Sequence, residues 1–326
     1  MQPTTSAIDP WLRRHLVCPR DERSLVERGG TLTCDVGHSY PCIDGIPVML
    51  LDDVTQTHWI ASYSVDHLAD QPPPLPADGI DPYVREALGA TCGNLYARVG
   101  GTMTRYPIPS FSLQPRREQE TLLDVGCNWG RWTVSAARQG FQAVGIDPSL
   151  PGIRAARRVS AQLGVRALYV VGDARHLPFR RASFDTVFSY SVLQHFAPAD
   201  LRASVQEAGR VLAPNGRAVV QMPNKFGLRN LLQQTRRGFA TPREFQVRYW
   251  APNGLRREFE RGIGPVHFEV DGYFSLNTQM SDVLLLPRGY RAIVRSSDWL
   301  RRKSAGWPLL VYAADSLYVH AAKTTK

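Results

Sequence analysis

Three aspartates in the middle of the chain each close or follow a short apolar run, where a carboxylate can accept hydrogen bonds from a bound small molecule: Asp124, Asp147 and Asp173. Residues 121–149 read TLLDVGCNWGRWTVSAARQGFQAVGIDPS. The order is strand, tight turn, helix, strand, acid, which is that of a nucleotide-binding unit. Gly126 lets the chain turn sharply and admits a ligand without Cβ interference, and Gly130 permits close packing at the helix start. Asn128 stands between them and tolerates the left-handed conformation better than most residues. Asp147 lies 21 residues after Gly126, close to the ~20 expected for an acid on ribose hydroxyls. A second group, Cys18, Asp21, Cys34 and His38, has the spacing C-x2-D-x12-C-x3-H. Thiolate, carboxylate and imidazole can together make a tetrahedral zinc site. A ribbon held by its apolar core without metal is the alternative. His195 is a third candidate, since an imidazole can take a proton from a hydroxyl or amine near neutral pH.

These residues need a parallel sheet to bring them together. Strands are expected at 121–126, 141–146, 167–171, 184–190 and 217–222, with helices at 129–139, 150–163 and 200–212 between them. Pro151 falls in a first helical turn, where its missing N–H costs nothing. Upstream, helical patterns run over 57–68 and 83–99, on either side of the proline-rich stretch 72–76. Downstream, 254–261 reads as a helix and 264–276 as a sixth strand. A last strand over 315–323 would complete a hairpin at the sheet's edge. Along 290–297, Tyr290, Ile293, Val294 and Ser297 share one helical face.

The stretch 121–149 resembles motifs I and II of the class I S-adenosylmethionine-dependent methyltransferases, in the form D-x-G-x-N-x-G. The resemblance implies a Rossmann-like seven-stranded sheet and S-adenosylmethionine as cofactor. Asp124, two residues before the first glycine, would help hold the cofactor's ammonium group. Residues 172–179, GDARHLPF, resemble the family's G-D-A-x-x-L-P-F motif, which implies that Asp173, followed by Ala174, accepts from the adenine amine. Ser189 to His195 resembles the S-x-x-V-L-x-H segment of members that methylate small molecules. It implies Tyr190 at the cofactor end, as a cofactor contact and a catalytic candidate, and His195 near the reacting centre, as a base or as a fixture of its loop. No N-P-P-Y or D-P-P-Y follows the fourth strand, which tilts the reading toward a small-molecule oxygen or nitrogen. Residues 40–50, YPCIDGIPVML, resemble the ending of the small zinc-ribbon-like domains that activate tRNA and release-factor methyltransferases. The cysteine spacing is similar to the site of a bacterial rRNA guanine methyltransferase.

The expected organisation is a zinc-ribbon-like module at 10–51, a linker and helical cover at 52–115, and the methyltransferase domain at 116–326. Insertions at 225–262 and 277–314 would cap the substrate, with Asn224, Arg248, Tyr249 and Trp250 as lining candidates; Tyr63, His67, Asn94 and Tyr96 are candidates to cover the cofactor, with simple packing of a connecting helix the favoured reading for each. The composition, 43% hydrophobic and 21% charged over 326 residues, is that of a folded domain. Five scattered cysteines speak against a disulfide framework and fit a cytoplasmic chain. The net charge is +10; residues 225–303 hold 15 Lys or Arg against 7 Asp or Glu, a balance of 15 − 7 = +8. Nucleic acid is therefore a second class of partner. Transfer of the cofactor's 3-amino-3-carboxypropyl arm and a non-catalytic, cofactor-binding subunit stay open beside methyl transfer. Nothing in the sequence sets the oligomeric state.

Overall fold

The structure, a computed structural model, describes residues 8–55, 59–70, 79–97, 100–274, 279–307 and 309–324. The proline-rich stretch 72–76 lies outside them. At the N-terminus, α1 (Pro10–His15) is capped by Asp9, whose carboxylate accepts from Trp11 N. Four short strands follow: β1 (Val26–Arg28), β2 (Thr31–Thr33), β3 (Ser39–Ile43) and β4 (Ile46–Pro47). They form an antiparallel sheet in the order β1-β2-β3-β4. Asp44-Gly45 makes the last turn, with φ +53° and +76° as two-residue hairpins require.

Two cover helices come next, α2 (Trp59–Asp66) and α3 (Pro82–Cys92). Gly93, at φ +102°, separates α3 from a short turn of helix, α4 (Asn94–Ala97). The helix expected over 83–99 is therefore broken in two, because a residue in that conformation cannot continue an α-helix. The part of 57–68 at 57–58 lies outside the described residues.

The large sheet is laid down as β5 (Thr121–Val125), α5 (Arg131–Arg138), β6 (Gln142–Asp147), α6 (Leu150–Gln162), β7 (Leu168–Val171), β8 (Phe184–Tyr190), α7 (Pro198–Val211) and β9 (Leu212–Pro223). Then come α8 (Leu228–Arg236), α9 (Pro252–Gly262), β10 (Val266–Gly272), α10 (Arg288–Ser304), α11 (Leu310–Ala313) and β11 (Ser316–Ala322). The strand order is β10-β11-β9-β8-β5-β6-β7. Strands β5 to β9 are parallel, while β11 enters antiparallel between β9 and β10. The order reverses at β5, so the carboxyl ends of β5 and β8 open a crevice there, where open α/β sheets bind ligands. The terminal hairpin at the edge is as the sequence reading has it.

The small module shares its core with the large domain. Leu16, Cys18, Leu32 and Tyr40 are buried in one cluster with Leu123, Val144, Phe179 and Phe184. Its end also prolongs the sheet: Val48 bridges Val171 in parallel, and Met49 N donates to Val171 O at 2.7 Å. Glu207 and Arg210 do pair on α7, but not at the surface. Arg210 is buried and donates to the carbonyls of Leu177 and Phe179. On α10, Val294 and Ser297 are buried, but Ile293 is 43% exposed, so the expected apolar face is only partly covered. Among the described residues no helix is long and apolar enough to cross a membrane.

Candidate functional site

Where β5, β6, β7 and β8 end, the structure has a cavity of about 490 Å³, within the range of roughly 300–1,000 Å³ usual for small-molecule sites. The turn after β5 forms its floor. Gly126 sits at φ +78°, and a Cβ there would lie 2.3 Å from a Val192 methyl. Asn128 adopts φ +45°, as its position in the turn demands. Its side chain also works: Oδ1 accepts from Trp129 N and Nδ2 donates to the Tyr83 hydroxyl, tying the turn to α3. Gly130 caps α5 at φ +80° with Tyr169 and Ala156 pressed against it, so it packs the helix and does not line the cavity.

Asp147 lines the cavity. One oxygen accepts from Asn128 N and the other from Ser149 N, both at 2.9 Å. Burial pushes its pKa up to about 6, against the pull of those two N–H groups. Asp173 also lines the cavity with Ala174, but its carboxylate is already gripped by Arg175, whose Nη2 is 2.6 Å away. Arg175 reaches on to Asp200 and to the Thr55 carbonyl. Asp173 thus meets a ligand as half of an ion pair.

Asp124 is not among the lining residues. It lies behind the turn, 1% exposed, and accepts from Thr133 Oγ1 at 2.6 Å. Desolvation raises its pKa to about 7. Direct contact with an ammonium group, as expected from the motif, is therefore replaced by bracing of the turn from below.

Tyr190 lines the cavity with its ring, packed on Trp132 at 4.7 Å between centroids. Its hydroxyl donates to Asp271, away from the cavity, and burial raises its pKa well above the ordinary value. Tyr190 is a wall here and is not poised as a base. Ser191 next to it holds φ +62°, a strained value for a side-chain-bearing residue at the rim of a site.

His195 lines the same cavity. Its Nδ1 lies 2.7 Å from the Phe245 carbonyl oxygen, and its ring stacks on the Phe245 ring at 3.9 Å and 6°. A carbonyl can only accept, so Nδ1 carries the proton and Nε2 is the acceptor nitrogen of the neutral ring. Gln194 Nε2 donates toward Nε2 at 3.2 Å and to Ser191 Oγ at 2.7 Å.

The four substrate candidates do not line the cavity. Asn224 is fully buried and its amide donates to the carbonyls of Val311, Tyr312 and Ala314, capping the end of α11. Arg248 donates to the carbonyls of His195, Glu244 and Gln246, which shapes the loop carrying Phe245. Tyr249 lies beneath the Arg237 guanidinium, 5.9 Å from its carbon. Trp250 packs against the main core. Lining residues that the sequence patterns do not point to include Trp59 and Ile60 of α2, Tyr83 and Ala87 of α3, Arg131 and Trp132 of α5, and Phe245. Tyr63 of α2 stacks on His67 just past the helix end, and Tyr96 is buried against Asp282; none of the three lines the cavity. The side chain of Asn94 lies outside the described residues. The insertion 277–314 contributes to a second pocket, with Gln279, Asp298 and Arg301, instead of to this one.

A family model described as a methyltransferase domain matches residues 122–216, the stretch from β5 to β9 that builds this cavity. The domain has the class I S-adenosylmethionine-dependent methyltransferase fold. A ubiquinone biosynthesis O-methyltransferase of Azorhizobium caulinodans is 31% identical over 153 residues, 46% of this chain and 55% of that protein. A norajmaline N-methyltransferase of Rauvolfia serpentina is 30% identical over 109 residues, 32% of this chain and 37% of that one. The chain spans about half the length of the first curated relatives it matches. A solved structure of a Haemonchus contortus phosphoethanolamine N-methyltransferase shares 17% identity at a TM-score of 0.49, covering 86% of this chain and 62% of that one. The cavity fits S-adenosylmethionine on its own chemistry. Carboxylates stand at the end of β6 and just after β7, apolar walls lie between them, and the turn passes below with no side chain at Gly126.

The N-terminal cluster is assembled as its spacing predicts. One ligand atom from each of Cys18, Asp21, Cys34 and His38 lies within 4.8 Å of the others. Cys18 Sγ is 3.4 Å from His38 Nδ1, which is 3.3 Å from Asp21. Those separations match the edges of a tetrahedron with bonds of about 2.0–2.3 Å around zinc. Two tight turns present the ligands, one closed by Glu22 N to Cys18 O and one by Gly37 N to Cys34 O. Burial raises the Cys18 thiol pKa, while the Cys18 contact, then the Arg23 N–H and His38, pull Asp21 down.

Proposed function

We propose that this chain is a methyltransferase that moves a methyl group from S-adenosylmethionine to an oxygen or nitrogen of a small molecule. The observation that carries the reading is the meeting of the Gly126–Gly130 turn, Asp147, Asp173 and His195 around one cavity. Bound there, S-adenosylmethionine supplies a methyl carbon made electrophilic by its sulfonium. Asp147 would accept from the ribose hydroxyls, since each of its oxygens has a lone pair beyond the one its backbone donor uses. Asp173 and Ala174 would meet the adenine, with Arg175 holding the carboxylate in place. Trp59, Tyr83 and Phe245 line the cavity and would pack over a bound ligand, excluding water from it and so sharpening the charge interactions inside.

His195 is the group for the acceptor's proton. Its fixed tautomer presents Nε2 as the base, and Gln194 keeps Ser191 as a partner when an acceptor O–H or N–H takes over that lone pair. Alignment of nucleophile and methyl carbon in line then provides most of the rate. The metal, for which zinc is the fitting ion, would belong to Cys18, Asp21, Cys34 and His38 and serve the fold of the module.

The second reading is an RNA acceptor, favoured by the +8 balance over 225–303. One experiment separates the two. Radiolabelled S-adenosylmethionine is incubated with the chain and either total RNA or a panel of phenols, amines and sugars. Label in the small-molecule panel, insensitive to added salt, is the expected outcome. Label confined to RNA, lost steeply between low and moderate salt, would transfer the assignment to RNA. Product mass distinguishes methyl from 3-amino-3-carboxypropyl transfer.

A further inference from the structure

Helix α8 is built inside out. An amphipathic helix normally turns its apolar stripe to the core and its polar face to water. Here the inward positions carry amides. Asn230 and Gln234 are buried; Asn230 Nδ2 donates to the carbonyls of Asn224 and Asp315, and Gln234 Nε2 to those of Lys225 and Asn230. The outward positions carry leucine. Leu228, Leu231 and Leu232 share one face at spacings i, i+3 and i+4, with Leu228 65% and Leu232 48% exposed. The N–H groups of Arg229 and Asn230 are fixed to Asp315 Oδ1, just past α11, and the Asn224 amide holds α11 carbonyls. The start of α8 therefore abuts α11, and the turn leading into α11 exposes Trp307 (69%) and Leu309 (81%). Of the 17 large hydrophobic side chains exposed among the described residues, 13 fall between Phe226 and Tyr312. Scattered singly they would need no explanation; gathered on neighbouring elements they mark a contact surface.

The same surface is basic. Lys225, Arg229, Arg236 and Arg237 are all exposed on α8 or beside it, and no Asp or Glu occurs from Lys225 to Arg243. Outward leucines rimmed by cations, next to exposed tryptophan, are the composition of a helix that lies in the headgroup layer of a bilayer. A second copy of the chain fits less well, because a two-fold contact would bring like charges together. RNA offers phosphates to the cations but nothing for the leucines to bury against. We propose that α8 and the entry to α11 form a docking surface for an anionic lipid bilayer, with the leucines among the upper acyl chains and the cations on the headgroups. Such a helix lies on a membrane without crossing it. The loop after α8 carries Phe245 of the cavity wall, and Arg237 Nη1 donates to Val247 O within that loop. The docked face thus runs on to the lip of the cavity. The inference depends on this surface alone and stands whether or not the cavity takes S-adenosylmethionine.

Flotation of the full chain with vesicles tests it, using phosphatidylcholine alone and equal parts of phosphatidylcholine and phosphatidylglycerol. The wild type is expected to float with the anionic vesicles and about tenfold less with the neutral ones. Leu228→Gln with Leu232→Gln, both at exposed positions, should lower partitioning by about tenfold. Lys225→Gln with Arg236→Gln should lower it similarly, and added salt should erase the difference from the wild type. Val36→Gln, at an exposed apolar position of the small module, should bind as the wild type does. Every variant should melt as the wild type does. A wild type that stays unbound with both vesicles overturns the inference. So does binding that the leucine pair leaves unchanged, or that Val36→Gln weakens as much. A wild-type dimer made monomeric by the leucine pair and indifferent to vesicles would assign the face to a second copy and overturn it. Total RNA retained by the wild type and lost with the cation pair, without vesicle binding, would do the same.

Discussion

His195 Nδ1 lies 2.7 Å from the carbonyl oxygen of Phe245, fifty residues further along the chain, and the two rings stack face to face. One residue thereby sets both the tautomer and the plane of the imidazole. Replacing His195 with Gln, which retains a hydrogen-bonding side chain but no base, is expected to lower kcat by about a hundredfold. Affinity for S-adenosylhomocysteine should stay close to that of the wild type. Steady-state kinetics beside calorimetry check the pair. Unchanged kcat would reduce His195 to a fixture of its loop.

Two buried carboxylates are expected to make cofactor affinity and stability run in opposite directions with pH. Asp147 and Asp124 have folded-state pKa values raised by burial, to about 6 and about 7. A raised value means the folded chain holds a proton more tightly than the unfolded one. The stabilisation is therefore complete below the ordinary carboxylate range near pH 4 and is lost as pH rises through 6 to 7. Thermal melts of the free chain are expected to fall over that window. Affinity for S-adenosylhomocysteine should rise over the same window, because ribose hydroxyls pair with the ionised form of Asp147. Asp147→Asn should abolish the rise in affinity, and Asp124→Asn should flatten part of the fall in stability while the Thr133 contact is kept. A free-chain melting temperature that climbs from pH 5 to pH 8 would contradict this.

Loss of metal should be felt beyond the small module. Cys18 belongs to the same buried cluster as Leu123 and Val144 of the large sheet. Purified chain is expected to carry about one zinc per molecule by elemental analysis. Cys18→Ser should lose it and lower the melting temperature of the whole chain by several degrees in one transition. A metal-free chain with the same melting temperature as the zinc-loaded one would mean that the apolar core holds the ribbon unaided.

The glycine turn should tolerate no side chain at its first position. Gly126→Ala places a methyl 2.3 Å from Val192 Cγ2 in a backbone at φ +78°. A cost of about 2 kcal/mol or more in urea unfolding is expected from clash and conformation together. Gly126→Ala with Val192→Ala should recover only the part due to the clash.

The frame of the fold could be read from residue patterns, because parallel strands are continuous apolar runs and their turns need glycine or asparagine. The bounds of β8 agree with 184–190, and Asn128 has the left-handed conformation inferred for it. The site's walls could not be read this way. Trp59, Tyr83 and Phe245 sit on a cover helix, a second cover helix and a loop, and only long-range packing gathers them. Asn224 departs from its expected place for the same reason. At the tip of β9 it has the address of a ligand contact, but its amide is spent on carbonyls 87 to 90 residues away. Asp124 stands in its motif as expected, yet its burial behind the turn depends on Thr133, whose part no spacing rule announces.

The ends of β5, β6 and β7 are expected to converge on one adenosyl ligand. Isothermal calorimetry of S-adenosylhomocysteine against the folded chain at pH 7.5 tests it most directly. Saturable binding at about one site per chain, weakened roughly tenfold by Asp147→Asn, is the predicted result. No heat of binding to a chain that melts cooperatively would contradict it.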